Sequence, residues 1–259
     1  MVVEAILFGL VIGVVIGMLG GGGAILTVPV LVYVLGENVH AATTSSLFVV
    51  SLAAGMGAWG QAREECVCWK HTTAFVPTAL AGAVAGTAVN RLVGPTLLLL
   101  LFAGLMLAAS LATWNKGAAA KEGVIGFRCP PVQRTRVVVA GIGVGFLTGF
   151  LGVGGGFVIV PVLAVMLAMP MRGAIGTSLS IVAVVSACGL AAHLAAGSSV
   201  DVSIALPLAA GCVAGALFGP RIGRRASAQS LAHGFALLLV LVAGYVLTAT
   251  VIAGGAPGT

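Results

Sequence analysis

The sequence predicts an all-α integral membrane protein of two homologous halves, each a broken re-entrant opening segment followed by three transmembrane helices. Composition, the recurrence of long apolar runs and an internal repeat predict it. Of the 259 residues, 60% are hydrophobic and 7% charged, and mean hydropathy is +1.20, whereas a soluble domain carries roughly 25% charged residues. Such a chain cannot cover itself in water, so its first partner is a lipid bilayer. Apolar stretches near the roughly 20 residues that cross a bilayer recur from end to end, separated by short polar connections. The opening MVVEAILFGLVIGVV has neither a basic flank nor a small-residue cleavage site, so it reads as part of the fold rather than a removable signal.

Sliding the sequence along itself exposes the repeat. Gly13-V-V-I-Gly17-M-L-Gly20-G-G-Gly23 leads to Val28-Pro29-Val30-Leu31, and Gly145-F-L-T-Gly149-F-L-Gly152-V-G-Gly155-Gly156 leads to Val160-Pro161-Val162-Leu163. Gly13 to Gly145 and Pro29 to Pro161 both give an offset of 132, which also pairs Thr44-Ser45-Ser46-Leu47 with Gly176-Thr177-Ser178-Leu179. A slightly smaller offset pairs Gly82 and Gly86 with Gly211 and Gly215. The halves are therefore 1–115 and 136–259, joined by a polar linker over 116–135.

Turn and charge signals bound helical spans near 41–61, 72–91 and 95–114, then 173–196, 202–220 and 229–253. The opening segments differ, because GMLGGGGAILTVP and GFLGVGGGFVIVP interrupt them. Each glycine weakens a helix by about 1 kcal/mol, and proline removes a backbone donor. The first segment should therefore split into a piece near 4–19 and a shorter one near 24–36, and a run of 10–14 apolar residues is typical of re-entry rather than a crossing.

Loop charges support re-entry. If each opening segment crosses once, the twelve Lys and Arg divide seven against five. If each instead enters and leaves by one face, Arg63, Lys70, Lys116, Lys121, Arg128, Arg134, Arg136, Arg172, Arg221, Arg224 and Arg225 share one side, and only Arg91 lies opposite. Eleven against one obeys the positive-inside rule. Three full crossings per half would then make an inverted repeat, with the linker cytoplasmic and two discontinuous segments meeting at the midplane, as in alternating-access carriers. The net charge of +6 is accounted for by these loops, and no nucleic-acid partner is expected.

All six acidic residues fall near span ends or in loops, so no mid-membrane carboxylate marks a proton or cation path. A glycine-rich break followed by a helix offers unpaired N–H groups at a positive dipole end, which suits a small anionic substrate. The candidate substrate-binding residues are Gly20, Gly21, Gly22 and Gly23 with Thr44, Ser45 and Ser46, and Gly154, Gly155 and Gly156 with Thr177 and Ser178; the hydroxyl of Ser180 belongs with them. Gln61 and His193, which match at the 132 offset, are candidates for gating or proton linkage, with a hydrogen-bonded structural role as the plainer reading of His193. Gly82/Gly86 and Gly211/Gly215 have the spacing of close helix contacts. Cys66 and Cys68 near His71 read as ordinary reduced thiols rather than a metal element, since no second pair lies nearby. Neither cofactor nor metal is expected.

The paired strings, G-x-x-x-G-x-x-G-G-G-G-x-x-x-x-x-P-x-L and G-x-x-x-G-x-x-G-x-G-G-G-x-x-x-x-P-x-L, each precede a T-S-containing span, A-T-T-S-S-L and I-G-T-S-L-S. In this the chain resembles the sulfite exporter TauE/SafE family of bacterial membrane permeases over nearly its whole length. The resemblance implies carriage of sulfur-containing anions such as sulfite, sulfoacetate or related organosulfonates across the bacterial cytoplasmic membrane. It points to Gly20–Gly23, Pro29, Ser45 and Ser46, and to Gly152, Gly154–Gly156, Pro161, Thr177 and Ser178. A passive anion channel, or a carrier of another carboxylate or oxyanion, would use the same donors. An enzyme is not expected, since there is no H-E-x-x-H, no G-x-S-x-G and no grouped intramembrane Asp, Glu or His.

Overall fold

The structure is a computed structural model that describes residues 2–37, 39–90, 95–118, 129–151, 156–195, 197, 200–225 and 227–252. Arg91, residues 119–128 of the linker, and Gly152, Gly154 and Gly155 lie outside the described residues. The regular elements of the described chain are helices: α1 Val2–Leu19, α2 Thr27–Pro29, α3 Val39–Arg63, α4 Trp69–Asn90, α5 Pro95–Ala118, α6 Arg134–Leu151, α7 Gly156–Val165, α8 Met171–Ala195, α9 Val202–Arg225 and α10 Ala228–Ile252. Among the described residues, six helical stretches are long and apolar enough to span a bilayer, and Leu100–Asn115 and Gly156–Val165 are shorter apolar helices. Outward-facing side chains such as Leu7, Val84, Leu111, Leu206 and Leu241 are exposed and apolar, as a lipid-facing surface requires.

The first opening segment folds back on itself. After α1 the chain makes a 3-10 turn over Gly20–Leu26, the single turn of α2, and a π turn over Val30–Val34. Val2 and Ala5 at the start of α1 share one cavity with Leu35 at the end of the return, beside Ser203 and Ile204 of α9. The return leg therefore ends at the face where α1 begins. The return was expected as one helical piece; the glycines instead tighten it into a 3-10 turn, and Pro29 removes the N–H an α-helix would use.

The second opening segment, α6 and α7, starts and ends at the other face. Cys129, ahead of α6, is disulfide-bonded to Cys68 ahead of α4. Arg172, after the return of α7, lines a cavity with Gln61, Glu64 and Cys66 from the end of α3. The described side chains of Arg63, Lys70, Arg134, Arg136, Arg172 and Arg221 gather at this basic face. Trp59, Trp69 and Trp114 stand half-exposed at the same helix ends, with the Arg63 guanidinium 3.8 Å from the Trp59 ring centre. Tryptophans at that level form an interfacial aromatic girdle.

The disulfide corrects the expectation of reduced thiols for Cys68. Cys66, Cys188 and Cys212 are free, while Cys68 and Cys129 pair across 61 residues with their Cα atoms 5.7 Å apart. The spacing gave no hint of it, because the fold alone brings the head of α4 to the head of α6.

Helix pairing is exchanged between the opening segments and the later spans. Gly9, Gly13 and Gly17 of α1 abut Leu208, Cys212 and Ala216 of α9 in rising order, so the two helices run parallel. Gly141, Gly145 and Gly149 of α6 abut Thr78, Ala79 and Ala83 of α4 in the same way. Small residues let these backbones touch, and contact of this kind drives association where no hydrophobic force acts between helices. The facing positions refine the sequence register. Gly82 and Gly86 meet Ile142 and Phe146, while Gly215 and Gly219 meet Leu10 and Val14, so their counterparts are Gly215 and Gly219, one turn beyond the sequence pairing. Four glycines spaced by four in α9, Gly211, Gly215, Gly219 and Gly223, make that slip invisible to sequence alone.

Candidate functional site

The glycine turn of the first opening segment meets the start of α7 in the second. A Cβ on Gly21 would lie 2.5 Å from the carbonyl oxygen of Gly156 and 2.7 Å from its Cα, so the backbones touch at the first residue of α7. Gly20 has a φ of +77°, a conformation glycine adopts readily, and its position abuts the Ser178 hydroxyl and Val160. Gly20 through Gly23 are all buried. Gly22 faces the ring of Phe235, and Gly23 packs on Ile16 of α1. Of the candidate glycines, then, Gly20, Gly21 and Gly156 line the meeting point.

The candidate hydroxyls divide into two groups. Ser178 is buried beside Gly20 and donates to the Ile175 carbonyl. Thr177 accepts from the Cys68 N–H at 3.0 Å, and Ser180 pairs with Thr72 at 2.7 Å. The other group lies in the first turns of α3, toward the opposite face. Ser45 donates to Glu37 at 2.6 Å, Ser46 donates to the Thr43 carbonyl, and Thr44 lies 3.3 Å from His193 Nδ1. Gln61 and His193, matched in sequence, therefore sit at opposite mouths, Gln61 in the cavity of the basic face.

That cavity connects the basic face to the turn. Gln61, Glu64, Cys66 and Arg172 line its rim, and Gly17, Met18 and Ile175 border the Gly20 turn below. Burial pushes the Cys66 thiol up, Glu64 adds to the shift and the Arg172 guanidinium opposes it. The thiol stays protonated, so the charges at the rim are those of Glu64 and Arg172. Sequence reading had assigned Arg172 to orientation alone.

Thr27 escaped sequence reading. It lies at the start of α2, directly after the glycine turn, is fully buried, and its hydroxyl has no hydrogen-bond partner. An orphaned buried hydroxyl is costly unless something binds it. The signal was in the repeat: Thr27 aligns with Ile159 at the 132 offset, a polar departure inside an apolar run.

A family model described as sulfite exporter TauE/SafE matches residues 5–246. The chain belongs to this family. A probable membrane transporter protein of Xylella fastidiosa is 35% identical over 171 residues, covering 65% of this chain and 64% of the relative. The match thus spans somewhat under two thirds of that relative. A probable membrane transporter protein of Methanocaldococcus jannaschii is 27% identical over 197 residues, covering 74% of this chain and 72% of the relative. One of Bacillus subtilis, YunE, is 26% identical over 209 residues, covering 73% and 77%. No solved structure matches. The family's description names an exporter, in keeping with the expectation that this TauE/SafE chain is not an enzyme.

Proposed function

We propose that this TauE/SafE protein is a secondary carrier of small sulfur-containing anions such as sulfite, sulfoacetate and related organosulfonates, working by alternating access in a bacterial cytoplasmic membrane. The observation that carries the reading is the contact of the first glycine turn with the start of α7, Gly21 on Gly156, near a cavity at the basic face that Gly17, Met18 and Ile175 help to line. Backbone packed on backbone leaves no open pore there, which favours a carrier over a passive channel. Return of each opening segment to its own face, and the exchanged packing of α1 on α9 and α6 on α4, support an inverted repeat around this contact.

The basic face is assigned to the cytoplasm, because eleven of twelve Lys and Arg then lie inside. Cys68 and Cys129 then face a reducing compartment, where disulfides are rare. Charge decides the orientation, since the bond forms or opens with the surrounding thiols without turning the protein over. In the proposed path the anion enters by this cavity, past the Glu64 and Arg172 side chains at its rim. The Thr27 hydroxyl, the Ser178 hydroxyl on turning from the Ile175 carbonyl, and the N–H groups around Gly20–Gly23 then replace its water, as neutral donors can for an oxyanion.

Binding to the purified protein tests this. Sulfite, thiosulfate and sulfoacetate bind, acetate does not, and Thr27→Val weakens sulfoacetate binding by about tenfold or more, the worth of one hydrogen bond to a charged group. Removing an orphaned hydroxyl leaves stability undiminished. Equal binding by Thr27→Val and the unmodified protein would remove Thr27 from the site, and preference for acetate would overturn the substrate class.

A further inference from the structure

The sequence shows no carboxylate within a span, but the fold buries one at the mouth opposite the basic face. Glu37, between the return leg and α3, is 7% exposed. Its Oε1 accepts from the Ser45 hydroxyl at 2.6 Å, while its Oε2 is buried without a hydrogen-bond partner. Its own N–H is held by the Leu31 carbonyl, which fixes the residue to the end of the return leg. An ionised carboxylate with one buried oxygen unpaired is costly, and a proton removes that cost.

We infer that Glu37 is the coupling site of the carrier, a proton-binding carboxyl whose protonation releases the Ser45 hydroxyl to the anion, so that one proton and one anion are carried together. The inference rests on the carrier reading above. When Glu37 is ionised, the Ser45 proton is committed to Oε1, and an anion nearby meets a negative charge and no donor. When Glu37 takes a proton, it donates its own O–H to Ser45 Oγ. The Ser45 hydrogen then turns outward as a donor, and the negative charge is gone. No bond other than these hydrogen bonds and the carboxyl O–H changes.

The surroundings favour that proton. Burial raises the Glu37 pKa above the ordinary carboxylate range, the Ser45 hydrogen bond opposes the shift, and the negative charge of Asp201 adds to it. Asp201 itself is held low by the Ser203 hydroxyl and by backbone N–H groups, so it stays ionised while Glu37 titrates. The other titratable residues on adjoining elements are Glu4 in the first turn of α1, His40 in the first turn of α3 and His193 near the end of α8, next to Thr44. The repeat sets Glu37 apart as well, since the 132 offset matches it to Met169, so the device exists in one half only.

Sulfoacetate is the probe, because its sulfonate stays ionised throughout the range used. Binding to the wild-type protein takes up about one proton per anion, read with a pH dye in weak buffer, and the affinity falls as pH rises from 6 to 8. In proteoliposomes, an acid exterior drives sulfoacetate accumulation by about tenfold at one pH unit. Glu37→Gln, fixed in the neutral form, binds sulfoacetate without proton uptake, shows the same affinity at pH 6 and pH 8, and loses accumulation driven by the pH gradient. Glu37→Asp keeps a titrating carboxyl and retains proton uptake. Sulfoacetate binding to wild type with no proton uptake overturns the inference, even if Glu37→Gln does not fold; so does Glu37→Gln accumulating sulfoacetate on a pH gradient as wild type does. Wild type that binds no sulfoacetate would instead overturn the carrier reading on which the inference rests.

Discussion

Gly21→Ala reduces anion exchange by about 10- to 100-fold while the protein still inserts and remains monodisperse. The added Cβ meets the Gly156 carbonyl and Cα at 2.5–2.7 Å, and those atoms are backbone, which cannot swing aside. Overpacking of this kind costs about 1–3 kcal/mol, and each 1.4 kcal/mol is tenfold in an equilibrium. Because the contact joins the two opening segments, the strain falls on the state in which the turns meet and on the path between states. Gly156→Ala places its Cβ 2.8 Å from the Gly21 carbonyl and acts in the same direction. Exchange assayed at matched reconstitution checks the effect. Unchanged exchange in both variants would move the site from the turns to the cavity around Gln61 and the mouth at His193. Gly22, the other candidate in the turn, is a poorer probe, because a side chain there presses on the Phe235 ring rather than on the opposing turn.

The largest loss of stability falls elsewhere. Gly145→Leu lowers stability by about 3 kcal/mol, which for a chain of this size is about 6–12 °C in Tm. Gly145 lies on the seam of α6 and α4, where a Cβ would sit 2.7 Å from the Cα of Ala79 and closer still to its carbonyl oxygen. Helices held together by close backbone approach, with no hydrophobic drive between them, lose that approach when a side chain intervenes. Gly143→Ala is the control on the same helix. Nothing lies within 4 Å of a Cβ there, so alanine removes the glycine penalty and raises Tm. Thermal unfolding in detergent, followed by size-exclusion chromatography, separates the two; a Gly145→Leu protein as stable as wild type would contradict the seam.

The helices and their breaks were legible because lipid imposes length and apolarity on every crossing. The span expected near 41–61 is Val39–Arg63, and the one near 202–220 is Val202–Arg225, which runs through Pro207 and Pro220. Proline is tolerated there because neighbouring helices and local adjustments satisfy the freed carbonyls. The first glycine turn was legible as a break, but its contact with α7 was not, since Gly21 and Gly156 meet only through the packing of both halves. Ser45 and Ser178 were read as one set of donors, and helix direction sets them apart, one at the mouth opposite the basic face and one beside Gly20. Thr27 and Glu37 were missed because hydropathy registers polarity and not burial. Both stand where the repeat carries an apolar partner, Ile159 and Met169, and that broken symmetry is the trace they left in the sequence. The Cys68–Cys129 bond left none, because 61 residues separate the two cysteines and only the fold closes the distance.

Exchange of labelled sulfoacetate in proteoliposomes tests the account most directly. A carrier that alternates around the meeting of two turns gives uptake that saturates with sulfoacetate and is accelerated by unlabelled sulfoacetate inside the vesicles. Uptake that rises linearly with concentration, ignores internal sulfoacetate and carries a large unsaturating current would contradict it.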